Sequence, residues 1–252
     1  MQQHEDNNNS INFSNIIISS SDGQYLQIIK PFVKANGETN YEIIWSPVDG
    51  DLSYGGTYND TKLIKINNKN AILTVRAGKV PQILMIDIDT KKTIWHEDPS
   101  SLHSLLGGIH SAAYVPAIDA NNDGFVACYP YPHKETGDNL VYINRSNPKN
   151  ISKIDLADSH GAIWINKNEG IGGGFLWAIG RTTPSCASNS EEGQCILSQY
   201  KITHGRGGIE LLDTYTLIEN PKELSILSWP GWWECPHDIA MYDKNTLWIS
   251  TE

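Results

Sequence analysis

The sequence of 252 residues predicts an all-β fold, a β-propeller of five to six blades. Three observations lead there. Short apolar runs recur along the chain, punctuated by Gly, Asn, Asp and Pro, as in many strands joined by tight turns. No dozen-residue stretch keeps the i, i+3, i+4, i+7 apolar stripe of an amphipathic helix. A histidine also opens three separate β-like segments: "IHSAAYV" at 109–115, "SHGAIW" at 159–164 and "CPHDIAMY" at 235–242.

Residues 1–11 are a polar leader of the kind left after removal of a signal peptide, without basic and apolar regions of their own. Residues 12–252 form a single domain. Its first runs are "NIIISS", "YLQIIKPF" and "YEIIW", then "KLIKI", "AILTVRA", "QILMIDID" and "TIWHE". The first histidine opens "SAAYVP", "GFVACYP" and "NLVYIN"; the second opens "GAIWIN", "GFLWAIG", "CILSQYKI" and "ELLDTYTL"; the third opens "DIAMY" and "TLWIST". Helical turns are expected only near 98–106 and 220–227.

Fifty residues separate His110 from His160, and 77 separate His160 from His237, the excess lying in a cysteine-bracketed loop and "THGRGG". A unit of about 40–50 residues with up to four strands is the size of a propeller blade. A sandwich also uses short strands, but gives no reason for a motif to recur in phase with them. In a propeller the first strand of each blade lines the central channel, so His110, His160 and His237 converge on one mouth. The chain ends on "LWISTE" part-way through a blade; either it is cut short, or N-terminal strands complete the last blade and remove open edges.

Composition excludes several partners. The net charge is −10 and the 19 Lys and Arg are scattered, so no nucleic-acid partner is expected. No apolar stretch approaches the ~20 residues that span a bilayer, so no membrane insertion is expected, and the chain is expected to be a monomer. Of the four cysteines, Cys186 and Cys195 bracket a polar loop: they are either a disulfide of an oxidising compartment or two free thiols. The expected location is secreted or periplasmic.

"GGIHSAAYVP", "DSHGAIWIN…GFLWAIGR" and "CPHDIAMYDKNTLWISTE" resemble the blades of an uncharacterised bacterial β-propeller family, known only as a domain of unknown function, with His-Ser, His-Gly and His-Asp openers in that order. The resemblance runs from about residue 12. "PHDIA…LWISTE" is more distantly similar to the repeats of virginiamycin B lyase-like and NHL-type propellers. Oligogalacturonate lyases similarly place histidines around a metal at the channel mouth. The resemblance implies a propeller and permits a metal-assisted lyase, although no lyase's complete catalytic set is matched.

Several residues are candidates for chemistry. His110, His160 and His237 either bind a divalent metal (Mn, Zn or Fe) or hydrogen-bond neighbouring blades. Asp158, Glu234 and Asp238 lie near them in sequence, and a metal there would polarise a uronate carboxylate or activate water. His160, His237 and Asp238 are the catalytic candidates. Trp229, Trp232 and Trp233 are either sugar-stacking platforms or inter-blade core. Arg76 and Arg181 either meet a ligand carboxylate or lie on the surface. Asp119, Asn121 and Asp123 in "DANNDG" are either an abbreviated calcium loop, lacking a Glu at the twelfth position, or a hairpin turn. Ser111 and Ser159 adjoin histidines, but neighbours on a strand point to opposite faces, and no G-x-S-x-G elbow is present, which argues against a serine hydrolase.

Three functions follow. The leading one is a propeller that binds a small polar ligand, a carbohydrate, at the histidine-bearing mouth. The second is a metal-dependent polysaccharide lyase or hydrolase using the same histidines. The third is a protein-binding scaffold in which they are structural.

Overall fold

Among the described residues, strand pairing sorts the apolar runs into five antiparallel sheets. The computed structural model describes residues 15–19, 25–48, 57–77, 82–97, 109–116, 123–129, 138–149, 151–167, 174–182, 194–203, 208–218 and 236–251. The first sheet joins β1 (Ile16–Ser19), β2 (Leu26–Val33) and β3 (Thr39–Trp45). The second runs β4 (Thr57–Ile66), β5 (Lys69–Ala77), β6 (Gln82–Asp87) and β7 (Thr93–Glu97). The third holds β8 (Ser111–Val115), β9 (Gly124–Cys128), β10 (Asp138–Asn144) and β11 (Ile151–Asp155). The fourth holds β12 (Ala157–Ile165), β13 (Phe175–Arg181), β14 (Cys195–Thr203) and β15 (Gly208–Ile218), and the fifth pairs β16 (Pro236–Asp243) with β17 (Thr246–Thr251). No helix is present among the described residues, and both expected helical turns lie outside them.

Within each sheet the strands follow chain order, as hairpin connections require. The β4–β5 turn shows the local chemistry: Ile66 pairs with Lys69, and both intervening residues, Asn67 (φ 49°) and Asn68 (φ 64°), are left-handed. That is a type I′ turn, whose twist matches the flanking strands and which Asn tolerates well.

Because successive side chains leave a strand on opposite faces, each interior sheet contributes to two cores. Leu26, Trp45, Ile72 and Ile86 join the first sheet to the second, while Leu73 and Val75, the next residues along β5, face Phe125 and Val141 of the third. Val126 and Leu140 meet Leu176 and Ala178 of the fourth sheet, and Ile165 and Ile179 meet Ile239 of the fifth. Four apolar interfaces thus connect five sheets in series. This explains why "QILMID" and "GFVAC" are unbroken apolar runs rather than alternating ones: β6 and β9 are buried on both faces.

The first strands of the four later sheets lie side by side, β4 against β8, β8 against β12 and β12 against β16. Gly161 permits the last approach, since a Cβ there would lie 3.2 Å from the Asp238 Cα and 3.1 Å from the Ile239 nitrogen. The all-β fold predicted from sequence is present, and the serial packing of small antiparallel sheets is consistent with a β-propeller.

Candidate functional site

The four adjacent first strands enclose a cavity of about 510 Å³. Asp60 and Lys62 of β4, Tyr114 of β8, Trp164 of β12, and Asp238 and Met241 of β16 are on its wall.

A recurrent irregularity shapes one end. On β4 the pairing skips from Tyr58 to Thr61, on β12 from Ala157 to Gly161, and on β16 from Pro236 to Asp238. Bulges of this kind bend a strand and re-aim the extra residues. Asp60, His160 and His237 each occupy the last position before pairing resumes, and His110 immediately precedes Ser111, where β8 begins to pair. The three histidines predicted from sequence are therefore equivalent in register, and Asp60 is a fourth member. Sequence reasoning missed it because the opener of "NDTKLIKI" is not a histidine; the available signal was a polar residue just before a strand that starts a four-strand unit.

Two of the imidazoles meet. The His110 and His160 rings are 4.9 Å apart, centroid to centroid, in an edge-to-face arrangement with planes at 77°. His160 Nδ1 lies 2.8 Å from the Asp158 carbonyl oxygen. A carbonyl only accepts, so Nδ1 carries the hydrogen, and in the neutral ring Nε2 is then the lone-pair nitrogen. His237 has its backbone at the start of β16, and its side chain lies outside the described atoms.

Beside the histidines a polar network crosses three sheets. Ser111 Oγ donates to Asp60 Oδ2 at 2.6 Å, and accepts from Lys62 Nζ at 3.0 Å and the Ala162 N–H at 3.3 Å. Lys62 also pairs with Asp60 itself, both side chains being mostly buried. Burial alone would pull the Lys62 amine down, but the Asp60 and Asp238 carboxylates and the hydrogen bond to Asp60 together raise it above the usual lysine value. Lys62 is therefore an ammonium at neutral pH and no base for Ser111, whose hydroxyl is buried with its hydrogen and both lone pairs engaged. The expectation against serine-hydrolase chemistry agrees with this arrangement. Burial pushes the neighbouring Cys128 thiol up to about 12, while contact with Ser159 and the Lys62 charge lower it by less.

The other candidates are distributed as follows. Arg76 and Arg181 are buried rather than on the surface, at the ends of β5 and β13. Arg76 lies over the Tyr58 ring at 5.5 Å, and Arg181 Nη1 is 3.9 Å from Asp158 Oδ2, a carboxylate of the protein itself. Asp238 is exposed on the cavity wall, its Oδ1 accepting from the Ile239 N–H at 2.7 Å. Asp123 is buried and its Oδ2 accepts from Arg145 Nε at 2.7 Å and from the Tyr114 hydroxyl at 3.0 Å. Asp119 and Asn121, the tryptophans Trp229, Trp232 and Trp233, and Glu234 lie outside the described residues. Cys195 is disulfide-bonded to a cysteine that also lies outside them. No group of three or more His, Cys, Asp or Glu side chains with metal-binding geometry is present among the described residues. Trp164, which sequence reasoning left inside a strand motif, is on the cavity wall with Tyr114, its Nε1 donating to Asn166 Oδ1 at 2.9 Å.

No family model matches this chain, and no curated protein is similar to it in sequence. Among solved structures, the chain is similar to one described as NanB plus Optactamide, at 12% identity and a TM-score of 0.45 over 78% of this chain and 29% of that one. It is also similar to the uncharacterized protein lmo1340 from Listeria monocytogenes EGD-e, at 10% identity and a TM-score of 0.36 over 90% of this chain and 52% of that one. The chain thus spans less than two thirds of either. The resemblance carried by the His-Ser, His-Gly and His-Asp openers rests on those motifs, and the site on its own residues, in an all-β chain of serially packed sheets.

Proposed function

We propose that this chain is a β-propeller of five to six blades that binds a small polar ligand, a carbohydrate, at the histidine-bearing mouth and the cavity between its first strands. The observation that carries the reading is a cavity walled by aromatic residues and by Asp60 and Lys62, whose network reaches Ser111, the residue next to the His110 that meets His160. A volume of about 510 Å³ falls within the range of small-molecule sites. Trp164 and Tyr114 offer faces for the apolar side of a sugar ring, and Asp60, Lys62 and Asp238 offer acceptors and a donor for hydroxyls. With Lys65 also on the wall, two carboxylates balance two ammoniums, and a wall without net charge suits a neutral sugar. The disulfide at Cys195 supports a secreted or periplasmic location, where such bonds persist.

A glycan array followed by calorimetry tests the reading. Neutral glycans should bind the wild type, and both His160→Ala and Trp164→Ala should weaken that binding by at least tenfold. If no glycan binds, or if both variants bind as the wild type does, the carbohydrate reading fails. A loss of stability alone in His160→Ala would favour the scaffold reading.

A second reading has its own support in the His160 tautomer. With Nδ1 tied to a carbonyl, Nε2 is the nitrogen that would ligate a metal, as in many imidazole sites held by an outer partner. His110 would be a second ligand and His237 a third, for Mn, Zn or Fe. Such an ion would supply Lewis-acid polarisation of a bound sugar carboxylate. Asp238 would then hold or move a proton at its exposed carboxylate. Elemental analysis after reconstitution checks this: no stoichiometric Mn, Zn or Fe counts against the lyase or hydrolase. Calcium at Asp119, Asn121 and Asp123 has less support, since Arg145 and Tyr114 occupy Asp123.

A further inference from the structure

We propose that Asp158 and Arg181 are positioning residues for His160, a buried pair that locks a left-handed turn of backbone so that its carbonyl selects the imidazole tautomer. Asp158 has φ 48°, a conformation uncommon outside glycine and costly to hold without support. It lies in the bulge of β12, where no cross-strand pairing holds the backbone between Ala157 and Gly161. Its side chain is buried, with Oδ2 3.9 Å from the equally buried Arg181 Nη1. Arg181 is anchored in turn: it ends β13, opposite Ala157 on one side and Cys195 of β14 on the other. The carbonyl of the same Asp158 meets His160 Nδ1 at 2.8 Å. The route from Arg181 to the imidazole is therefore short: guanidinium to carboxylate, carboxylate to a fixed φ, fixed φ to carbonyl, carbonyl to Nδ1–H. The disulfide-bonded Cys195 beside Arg181 secures the far end of this chain of contacts.

The histidine openers of the other sheets give the contrast. His110 precedes the pairing of β8, and its own backbone N–H is bonded to the Cys128 carbonyl at 3.0 Å, so its strand continues a regular ladder. His160 is the last of three residues that pair with nothing across the sheet. A wide bulge without a lock would let the ring turn, and the Asp158–Arg181 pair supplies the lock.

The test is the His160 ring itself, read by nitrogen-detected NMR on protein with labelled histidine and assigned by the signal lost in His160→Gln. The wild type should show a neutral ring protonated at Nδ1. Removing one member of a buried pair leaves a lone charge, so the principal variant is the double Asp158→Gly, Arg181→Met, in which glycine accepts the left-handed φ and neither charge remains. It should fold, lose the Nδ1–H signature, and bind Zn²⁺ alone some tenfold or more weakly than the wild type. Asp158→Asn keeps a side chain that tolerates this φ and should show partial loss, and Arg181→Lys, which keeps the positive charge, should retain the signature. An unchanged ring spectrum in the double variant, or in Asp158→Asn should the double variant not fold, overturns the proposal. The inference rests on the functional reading of His160 only through the zinc measurement: a wild type that ignores Zn²⁺ defeats the metal reading, while the ring spectrum still decides the positioning role.

Discussion

The sheet β4–β7 and the sheet β12–β15 solve one problem in two ways. Each begins with a bulged strand, each places a polar opener at the end of the bulge, and each buries a guanidinium on its second strand opposite the residue where pairing breaks. In the former, Arg76 stands opposite Tyr58 and stacks over its ring, and the opener Asp60 takes its counter-ion, Lys62, from its own strand. In the latter, Arg181 stands opposite Ala157, which offers nothing to a cation, and the carboxylate of Asp158 meets it from within the bulge. The comparison teaches that the bulge is the shared device, and the charge on the opener decides what surrounds it. A carboxylate needs an ammonium within reach; an imidazole needs an acceptor to set its tautomer.

The largest effect expected from breaking this comparison is at Asp60. Asp60→Ala leaves Lys62 buried without its nearest counter-ion and takes away the acceptor of the Ser111 hydroxyl, and should cost about 3–5 kcal/mol in chemical denaturation. The two guanidiniums come next. Arg181→Met strands Asp158 and should cost about 3 kcal/mol, whereas Tyr58→Leu removes a cation–π contact and should cost about 1 kcal/mol. Equal losses in the two melts would mean that the two corners are held alike.

A smaller effect distinguishes the openers by pH. The folded state raises the Lys62 amine above 10.5, so its contribution to stability is complete below that value and is lost as pH climbs through the raised one. The stability advantage of the wild type over Lys62→Met should accordingly be constant from neutral pH to about 10 and shrink above it, whereas the advantage over Arg181→Met should not follow that curve. The smallest effect is a null in the native state. With its thiol pushed up to about 12 and buried, Cys128 should resist iodoacetamide at pH 8 until the protein is unfolded, as peptide mapping would record. Alkylation of the native protein would show that the packing between the third and fourth sheets opens to solvent.

Much of this is legible in local pattern. The all-β class, the strand runs and the grouping of strands behind each histidine follow from side-chain alternation and turn chemistry, which are properties of a few adjacent residues. "INNK" reads as a tight turn, and the three openers do fall at equivalent register positions, because the physics of both is short-range. Other features depend on which strands become neighbours. Nothing in "NDTKLIKI" announces that Asp60 and Lys62 will meet Ser111, 51 and 49 residues further on. Arg76 and Arg181 look like surface residues because long charged side chains usually are, until packing between sheets buries them and a ring or carboxylate compensates. Asp123 reads as half a calcium loop until Arg145, 22 residues away, takes its carboxylate. Periodicity lies in the covalent chain and can be read one residue after another; the pairing of charges is settled by register and sheet contact, where distance along the sequence carries no weight.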